Sequence, residues 1–217
     1  MGSRPVELEK TLNSILSQAS FAHVIGVNDF RDEPTNAVFR RLCPTGTLIV
    51  PEQQLGHHGA IDALYAAIQT PYVFHCEDDW FFEQTLNLDF AKQQLDRHPE
   101  ITTLCFRKLE DNTFTAEQRA KIQHHCDGDF CYYRLDALDK QWHGYGFNPH
   151  LIKLETLRSI GRFSDYKKER HISRQLRAQG KFVAMLDPGV CHHIGEVSMA
   201  NPPAKSRWEA IRRKIFG

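Results

Sequence analysis

The stretch Pro71-Tyr72-Val73-Phe74-His75-Cys76-Glu77-Asp78-Asp79-Trp80-Phe81-Phe82 constrains this chain more than any other. Its apolar half suits a strand buried on both faces of a sheet, and three consecutive carboxylates follow at that strand's carboxyl end. Carboxylates this close repel one another and resist burial, so the packed element needs a positive partner there. A divalent cation is the simplest such partner, and oxygen donors of this kind suit Mg or Mn. The competing reading makes Asp79 an ordinary helix N-cap ahead of Trp80-Phe81-Phe82-Glu83.

The flanking sequence sets the fold class. Pro5 to Gln18 carries Leu8, Leu12, Ile15 and Leu16 at the helical period, with Pro5 suited to a first turn. Ala22 to Val27 reads as a buried strand ending at Asn28-Asp29, followed by a helical run to Leu42, a strand at Thr47 to Val50 and a helix from Gly59 to Gln69. This β-α-β-α-β rhythm predicts an α/β fold, a Rossmann-like mixed but mainly parallel sheet with helices on both faces. Ligands bind such sheets beyond the carboxyl ends of the strands, which sends Asn28, Asp29 and the acidic triplet to one edge. Leu86 to Arg97 continues as a helix and Ile101 to Phe106 as a strand. Past Arg107 the periodicity weakens. A helix over Thr115 to Gln123 leads to the aromatic runs Phe130 to Tyr133 and Trp142 to Phe147, whose rings either pack beneath a loop or offer stacking faces to a sugar. Helices at Leu151 to Ile160 and Lys168 to Gln179, then a strand at Lys181 to Leu186, complete a single domain over residues 1–217.

Charge and cysteine usage narrow the function classes. Twenty-seven basic and 27 acidic residues cancel, which argues against a nucleic-acid binder. No run approaches eighteen apolar residues, and the opening Met-Gly-Ser-Arg-Pro has no apolar signal core, so the expected location is cytoplasmic. The six cysteines show no framework spacing and are expected to be free thiols. His124-His125-Cys126 with Cys131 offers four nominal zinc ligands, but it lacks a C-x2-C pattern, and Asp127-Gly128-Asp129 reads as a turn. The basic segment Lys205 to Phe216 sets Trp208, Ile211, Ile215 and Phe216 at helical spacing. Such a helix either packs on its own domain or lies on an anionic membrane.

The acid-tipped strand, the β-α-β half before it, the acidic helix start near Glu169 and the late His193-Ile194-Gly195 together resemble nucleotide-sugar glycosyltransferases of the GT-A fold, closest to glycosyltransferase family 2. Ser3 to Leu16 resembles that family's first helix. The resemblance implies a metal-dependent, inverting transfer of a sugar from a UDP or GDP type donor to a hydroxyl of a glycan or lipid-linked acceptor, in surface glycan or polysaccharide synthesis. It implies a nucleotide-sugar-binding half over 1–106 and an acceptor-binding half over 107–217, whose basic C-terminal helix would give peripheral contact at the inner membrane face. Glu77-Asp78-Asp79 resembles the DXD motif, with Asp79 as metal ligand and Glu77 and Asp78 in support. His193 resembles the late histidine that completes an Mn or Mg site, and in an extended segment only one of His192 and His193 can face the acids. By the same resemblance Asp29, Asn28 and Arg4 belong to the nucleotide-sugar site. Glu169 is the general base with Asp165 as second choice, and Trp142, Tyr145 and Phe147 face the acceptor. Family members usually open with a strand ahead of the Arg-Pro; here Met1-Gly2-Ser3 precede Arg4, so that part of the nucleotide pocket is expected to be missing. Two rivals remain at this point, a nucleotidyltransferase or metal phosphoesterase and a non-catalytic GT-A-like domain that binds a nucleotide or a partner.

Overall fold

The computed structural model describes residues 1–195, so the predicted basic tail lies outside the described residues. In chain order the elements are α1 (Pro5–Gln18), β1 (Ile25–Val27), α2 (Glu33–Leu42), β2 (Thr47–Ile49), α3 (His57–Ala66), β3 (Tyr72–His75), β4 (Trp80–Phe82), α4 (Leu88–Arg97) and β5 (Ile101–Cys105). There follow α5 (Ala116–Arg119), β6 (Gln123–Asp127), β7 (Phe130–Arg134), β8 (His150–Lys153), α6 (Leu154–Ile160), α7 (Glu169–Ala178), β9 (Phe182–Asp187) and β10 (Cys191–His193). None of these helices is long and apolar enough to cross a membrane.

Six strands form one sheet in the order β3-β8-β5-β9-β7-β6. Only β5 and β9 run parallel; β3–β8, β8–β5, β9–β7 and β7–β6 are antiparallel. The expected mainly parallel sheet is therefore a mixed and largely antiparallel one. The expectation failed because the antiparallel strands lie in the aromatic half, where the sequence pattern is weakest. Leu151, Ile152, Leu154 and Leu157 fit a helical period as well as a strand entering a helix, and the chain uses the second: β8 passes into α6 with no intervening loop. Likewise the helix expected over 115–123 shrinks to α5 and gives way to β6. The strands from the two halves of the chain are interleaved, since β3 and β5 both pair with β8.

Alternation along each strand sorts side chains onto two apolar layers. Phe74 and Leu151 face one, with α4 packed above through Ala91 and Leu95. Val73 and Ile152 face the other, beneath Ile61 of α3, Leu157 of α6 and Ile172 and Leu176 of α7. Phe147 and Tyr145 belong to this second layer. One cysteine expectation also fails. Cys126 and Cys131 stand directly opposite each other across the β6–β7 hairpin and form a disulfide, while Cys43, Cys76, Cys105 and Cys191 are free.

The β4–β10 pair carries the site. Its ladder matches His193 to Trp80 and Cys191 to Phe82, which occupies one edge of β4. The other edge is covered by α1: the Trp80 amide donates to Thr11 Oγ1 at 3.0 Å and the Phe82 amide to Ser14 Oγ at 3.2 Å. Helix hydroxyls thus take the place of a neighbouring strand on an otherwise unpaired edge. Arg4, the residue just before α1, reaches Asp78 and Asp79, the residues that precede β4.

Between β3 and β8, His75 and His150 stack with ring centroids 5.2 Å apart. His150 Nδ1 donates to the Asn148 carbonyl at 2.7 Å, and His75 Nδ1 shares a hydrogen bond with the Tyr65 hydroxyl at 2.9 Å. Both Nε2 atoms are buried without a hydrogen-bond partner among the described residues. Burial holds His75 well below the ordinary imidazole range, helped by the neighbouring His150 and His57, and holds His150 at about 4, against the pull of its bond to Asn148. Because the folded pKa of His150 is depressed, its contribution to stability is complete above the ordinary value of 6.5 and is lost as pH falls towards 4. Replacing His150 with Phe removes that loss. The stability deficit of the variant relative to the parent should therefore shrink by on the order of 3 kcal/mol across this window, measured by urea unfolding at several pH values; a deficit that stays constant would show that His150 takes up its proton in the folded state.

Candidate active site

The carboxylates at the end of β3 meet α1 and β10 at one corner. Arg4 Nη2 lies 2.6 Å from Asp78 Oδ1 and Arg4 Nη1 lies 2.6 Å from Asp79 Oδ2. The Gly2 amide donates to Asp78 Oδ2 at 2.6 Å. Both oxygens of Asp78 are thereby taken up within the chain, which makes it the anchor of the segment leading into α1. Asp79 keeps more capacity. Its Oδ2 is 2.9 Å from His193 Nε2, while its Oδ1 is buried with no hydrogen-bond partner among the described residues.

The ladder between β4 and β10 explains how residues 114 apart in sequence meet. Pairing His193 with Trp80 brings the chain after β10 alongside Asp79, and the Ile194 amide donates to the Asp79 carbonyl at 2.8 Å. The His193 ring rests on Trp80 edge-on, centroids 5.1 Å apart. Its backbone amide donates to Asp111 Oδ2 at 3.2 Å, an oxygen that also accepts from Arg107 Nε at 2.7 Å. His192, on the opposite face of the strand, pairs with Glu83 at 2.7 Å. Gly195 then passes so close that a Cβ there would lie 2.5 Å from Asp79 Oδ2.

Asp79 and His193 are the residues here that could hold a divalent cation. A buried carboxylate oxygen with no partner, a second oxygen on the same group and an imidazole nitrogen within 2.9 Å form a mixed O,N donor set suited to Mn or Mg. Gly195 packs its backbone directly against the Asp79 carboxylate, where a side chain would not fit. Asp79 and His193 would hold the ion, and Arg4 already supplies positive charge to the same carboxylates.

Glu77 links this corner to a second group. Burial pushes its carboxyl up to about 8, reinforced by the charges of Asp79, Asp78 and Glu169 and opposed by Arg4. Glu169, the first residue of α7, lines a cavity of about 140 Å³ together with Trp142, His143, Tyr145, Asn148 and His150. Burial raises its carboxyl to about 7, with a backbone hydrogen bond from Phe147 pulling the other way. A carboxylate poised near neutrality in a cavity is the profile of a general base. The cavity wall includes both the buried His150 and the exposed Trp142.

The other residues expected in the site are engaged within the fold as follows. Asn28 has no exposed surface, and its amide donates to Asp32 and Asn36 while accepting from Phe30 and Arg31. Asp29 accepts from the Leu55 and Gly56 amides at 2.6 and 2.9 Å and so fixes the loop before α3. Asp165 is exposed on the one-turn helix Phe163–Asp165. Phe147 is enclosed by His57, Tyr145 and Phe163 and presents no free ring face to a sugar, and Tyr145 is equally buried with its hydroxyl 3.2 Å from that of Tyr65. Trp142 is the one ring of the three that is exposed. Sequence reasoning quoted Gly195 only as the end of a motif and missed Asp111 and Arg107, which act through the β4–β10 ladder. Only a forecast of that pairing could have pointed to them.

Among known proteins, the fold has clear counterparts. It superposes on S. aureus TarS with a TM-score of 0.55 at 11% identity, covering 88% of this chain and 34% of that one, and on TarS 1-349 with a TM-score of 0.56 at 11% identity, covering 89% and 58%. The fold is thus similar to that of S. aureus TarS. The chain spans about a third of the TarS chain and somewhat over half of the shorter one. No protein-family model and no curated protein matches its sequence.

Arg4 and a divalent cation would share Asp79 Oδ2, which sets up a direct test. Replacing Arg4 with Ala leaves two buried carboxylates beside Glu77 without their guanidinium, a loss of about 3 kcal/mol in unfolding free energy. Mn should restore more of that stability to the Arg4→Ala variant than it adds to the parent; an equal gain in both would mean that the ion binds away from Asp79.

Proposed function

We propose that this chain is a metal-dependent, inverting glycosyltransferase that moves a sugar from a nucleoside-diphosphate donor to an acceptor hydroxyl, in the synthesis of a surface glycan or polysaccharide. The observation that carries this reading is the meeting of Asp79 and His193 at 2.9 Å next to Glu77, whose carboxyl in turn feels Glu169. The likeness of the fold to S. aureus TarS, a glycosyltransferase, supports it at the level of architecture.

The chemistry follows from the groups in place. Bound at Asp79 and His193, a divalent cation would supply Lewis-acid stabilisation of the charge that gathers on the departing diphosphate. Arg4 presents a guanidinium at the same corner, where a phosphate oxygen could accept from it. Glu169 takes the proton from the acceptor hydroxyl as that oxygen attacks the anomeric carbon from the face opposite the leaving group. One displacement of this kind inverts the anomeric centre. Trp142, exposed and lining the Glu169 cavity, gives an acceptor sugar a face to stack on.

The ion pairs of Arg4 favour one rival. Acids neutralised from within the chain are also what a non-catalytic domain of this fold would need, and such a domain would bind a nucleotide or a protein partner without turnover. Calorimetry with UDP and GDP, each with and without Mn, separates the two: the transferase requires Mn-dependent nucleotide binding.

Because Glu169 must be ionised to accept a proton and burial sets its pKa near 7, turnover should climb with pH through that value and level off above it. Glu169→Gln should leave the donor dissociation constant unchanged and cut turnover at least about 100-fold. Asp79→Ala should instead remove the Mn dependence of donor binding. The opposite pattern, with Asp79→Ala binding donor normally and Glu169→Gln failing to bind it, would reverse the two roles.

A further inference from the structure

The far edge of the six-stranded sheet holds a cluster that the transfer reaction does not use. Alternation puts His124 and Cys126 on one face of β6. Cys131 of β7 stands opposite Cys126, and Asp187 of β9 stands opposite Cys131, so that Cys126, Cys131 and Asp187 form one row across three strands. His124 completes the group from the next row. Its Nε2 lies 2.8 Å from Asp187 Oδ2 and 3.9 Å from Cys126 Sγ. The His124 nitrogen and both cysteine sulfurs all lie within 4.8 Å of one another. The imidazole plane is held by stacking on Tyr133, centroids 4.6 Å apart.

We propose that this hairpin is a thiol-dependent metal site, closed to metal while Cys126 and Cys131 are bonded and able to bind Zn once they are reduced. The ligand set would be the His124 imidazole, the two thiolates and the Asp187 carboxylate. Two sulfurs, one nitrogen and one oxygen match the preference of Zn for four mixed, partly soft donors in tetrahedral array. The spacing required of Cys126 and His124 is near the one present, and Asp187, outside that group of three, reaches it through His124. Zn–S bonds of about 2.3 Å and Zn–N bonds of about 2.0 Å place tetrahedral S and N atoms about 3.5 Å apart, against 3.9 Å for Cys126 and His124. Cutting the disulfide frees the two sulfurs to separate to about 3.8 Å, the distance two zinc-bound thiolates need. Cys126 and His124 are exposed on an edge strand, so the ion has an approach from solvent.

The conversion balances with a dithiol as reductant. The dithiol gives two electrons and two protons to the Cys126–Cys131 bond and becomes a disulfide itself, leaving two thiols on the hairpin. Metal binding then releases both thiol protons to solvent as the Zn–thiolate bonds form. Nothing in this step involves Asp79 or Glu169.

Cobalt reports the geometry. The full chain is reduced with a water-soluble phosphine, freed of it under argon and titrated with Co²⁺, alongside an unreduced sample. The reduced chain should take up one equivalent with a thiolate-to-cobalt charge-transfer band and the intense visible absorption of a tetrahedral site, both bleached by one equivalent of Zn²⁺. The unreduced chain should show neither. Cobalt held only by Asp79 and His193 gives no thiolate band, so the two sites are told apart. The double variant Cys126→Ser with Cys131→Ser should lose the band, and its folding is judged by circular dichroism against the reduced parent, which also lacks the disulfide. His124→Phe and Asp187→Asn should each weaken cobalt binding at least about tenfold. A reduced chain without the band, a band that survives loss of both cysteines, or unchanged affinity in both single variants would each overturn the proposal and leave the disulfide as a plain staple of the hairpin.

Discussion

Three adjacent carboxylates at the end of a buried strand must be neutralised before the surrounding layers can close, and that requirement shapes the structure around β3. The chain meets it with its own cation. Arg4 reaches both Asp78 and Asp79, and it can do so because α1 is docked on β4 by two side-chain hydroxyls, from Thr11 and Ser14, and by a stripe that includes Leu8, Leu12 and Ile15. The docking of a helix, the covering of a strand edge and the balancing of charge are thus one arrangement. Asp79 keeps a buried oxygen that has no partner among the described residues, whereas Asp78 is bonded at both of its oxygens.

That division sharpens the reading of each carboxylate. Asp78 is bonded at both oxygens, Glu77 is raised by burial and by its acidic neighbours, and Glu169 is raised chiefly by burial in the cavity wall. Four carboxyl groups in one region therefore have four different environments. Groups pushed apart in this way can take different roles in one reaction. The buried stack of His75 and His150 works to the same end. His150, which lines the cavity, is held neutral by burial and so lends it no positive charge.

Much of the amino-terminal half was legible in the sequence. The spacing of Leu8, Leu12 and Ile15 gave α1 with the bounds expected, and the apolar runs gave β1, β2 and β3 to within a few residues. The pairing pattern was not legible. A parallel sheet was inferred from alternating elements, yet β4, β6, β7 and β8 are three to five residues long, and the sequences of β6 and β8 carry histidine or lysine where alternation should show apolar residues. The acids and the late histidine could be singled out as residue types, whereas their meeting depends on the β4–β10 ladder, a contact between distant segments that local pattern does not encode. Arg4 was visible as part of a motif but not as the counter-ion. The positive charge inferred for the acidic triplet was assigned wholly to a metal, when a guanidinium 74 residues away supplies part of it. Asp29 and Asn28 were read as ligand-facing because they end a strand, and strand ends are also where loops need acceptors for their amides.

The paired imidazoles at 192 and 193 give the end of β10 an unusual tolerance and an unusual check on it. If this strand were threaded one residue out of frame, His192 would arrive where His193 now stands, and an imidazole would still confront Asp79. The same displacement would carry Ile194 into the place of Gly195, where even a single carbon would sit 2.5 Å from the carboxylate oxygen. Chemistry alone would accept either alignment; volume admits one. A glycine without any functional group thus proofreads which histidine the acid sees.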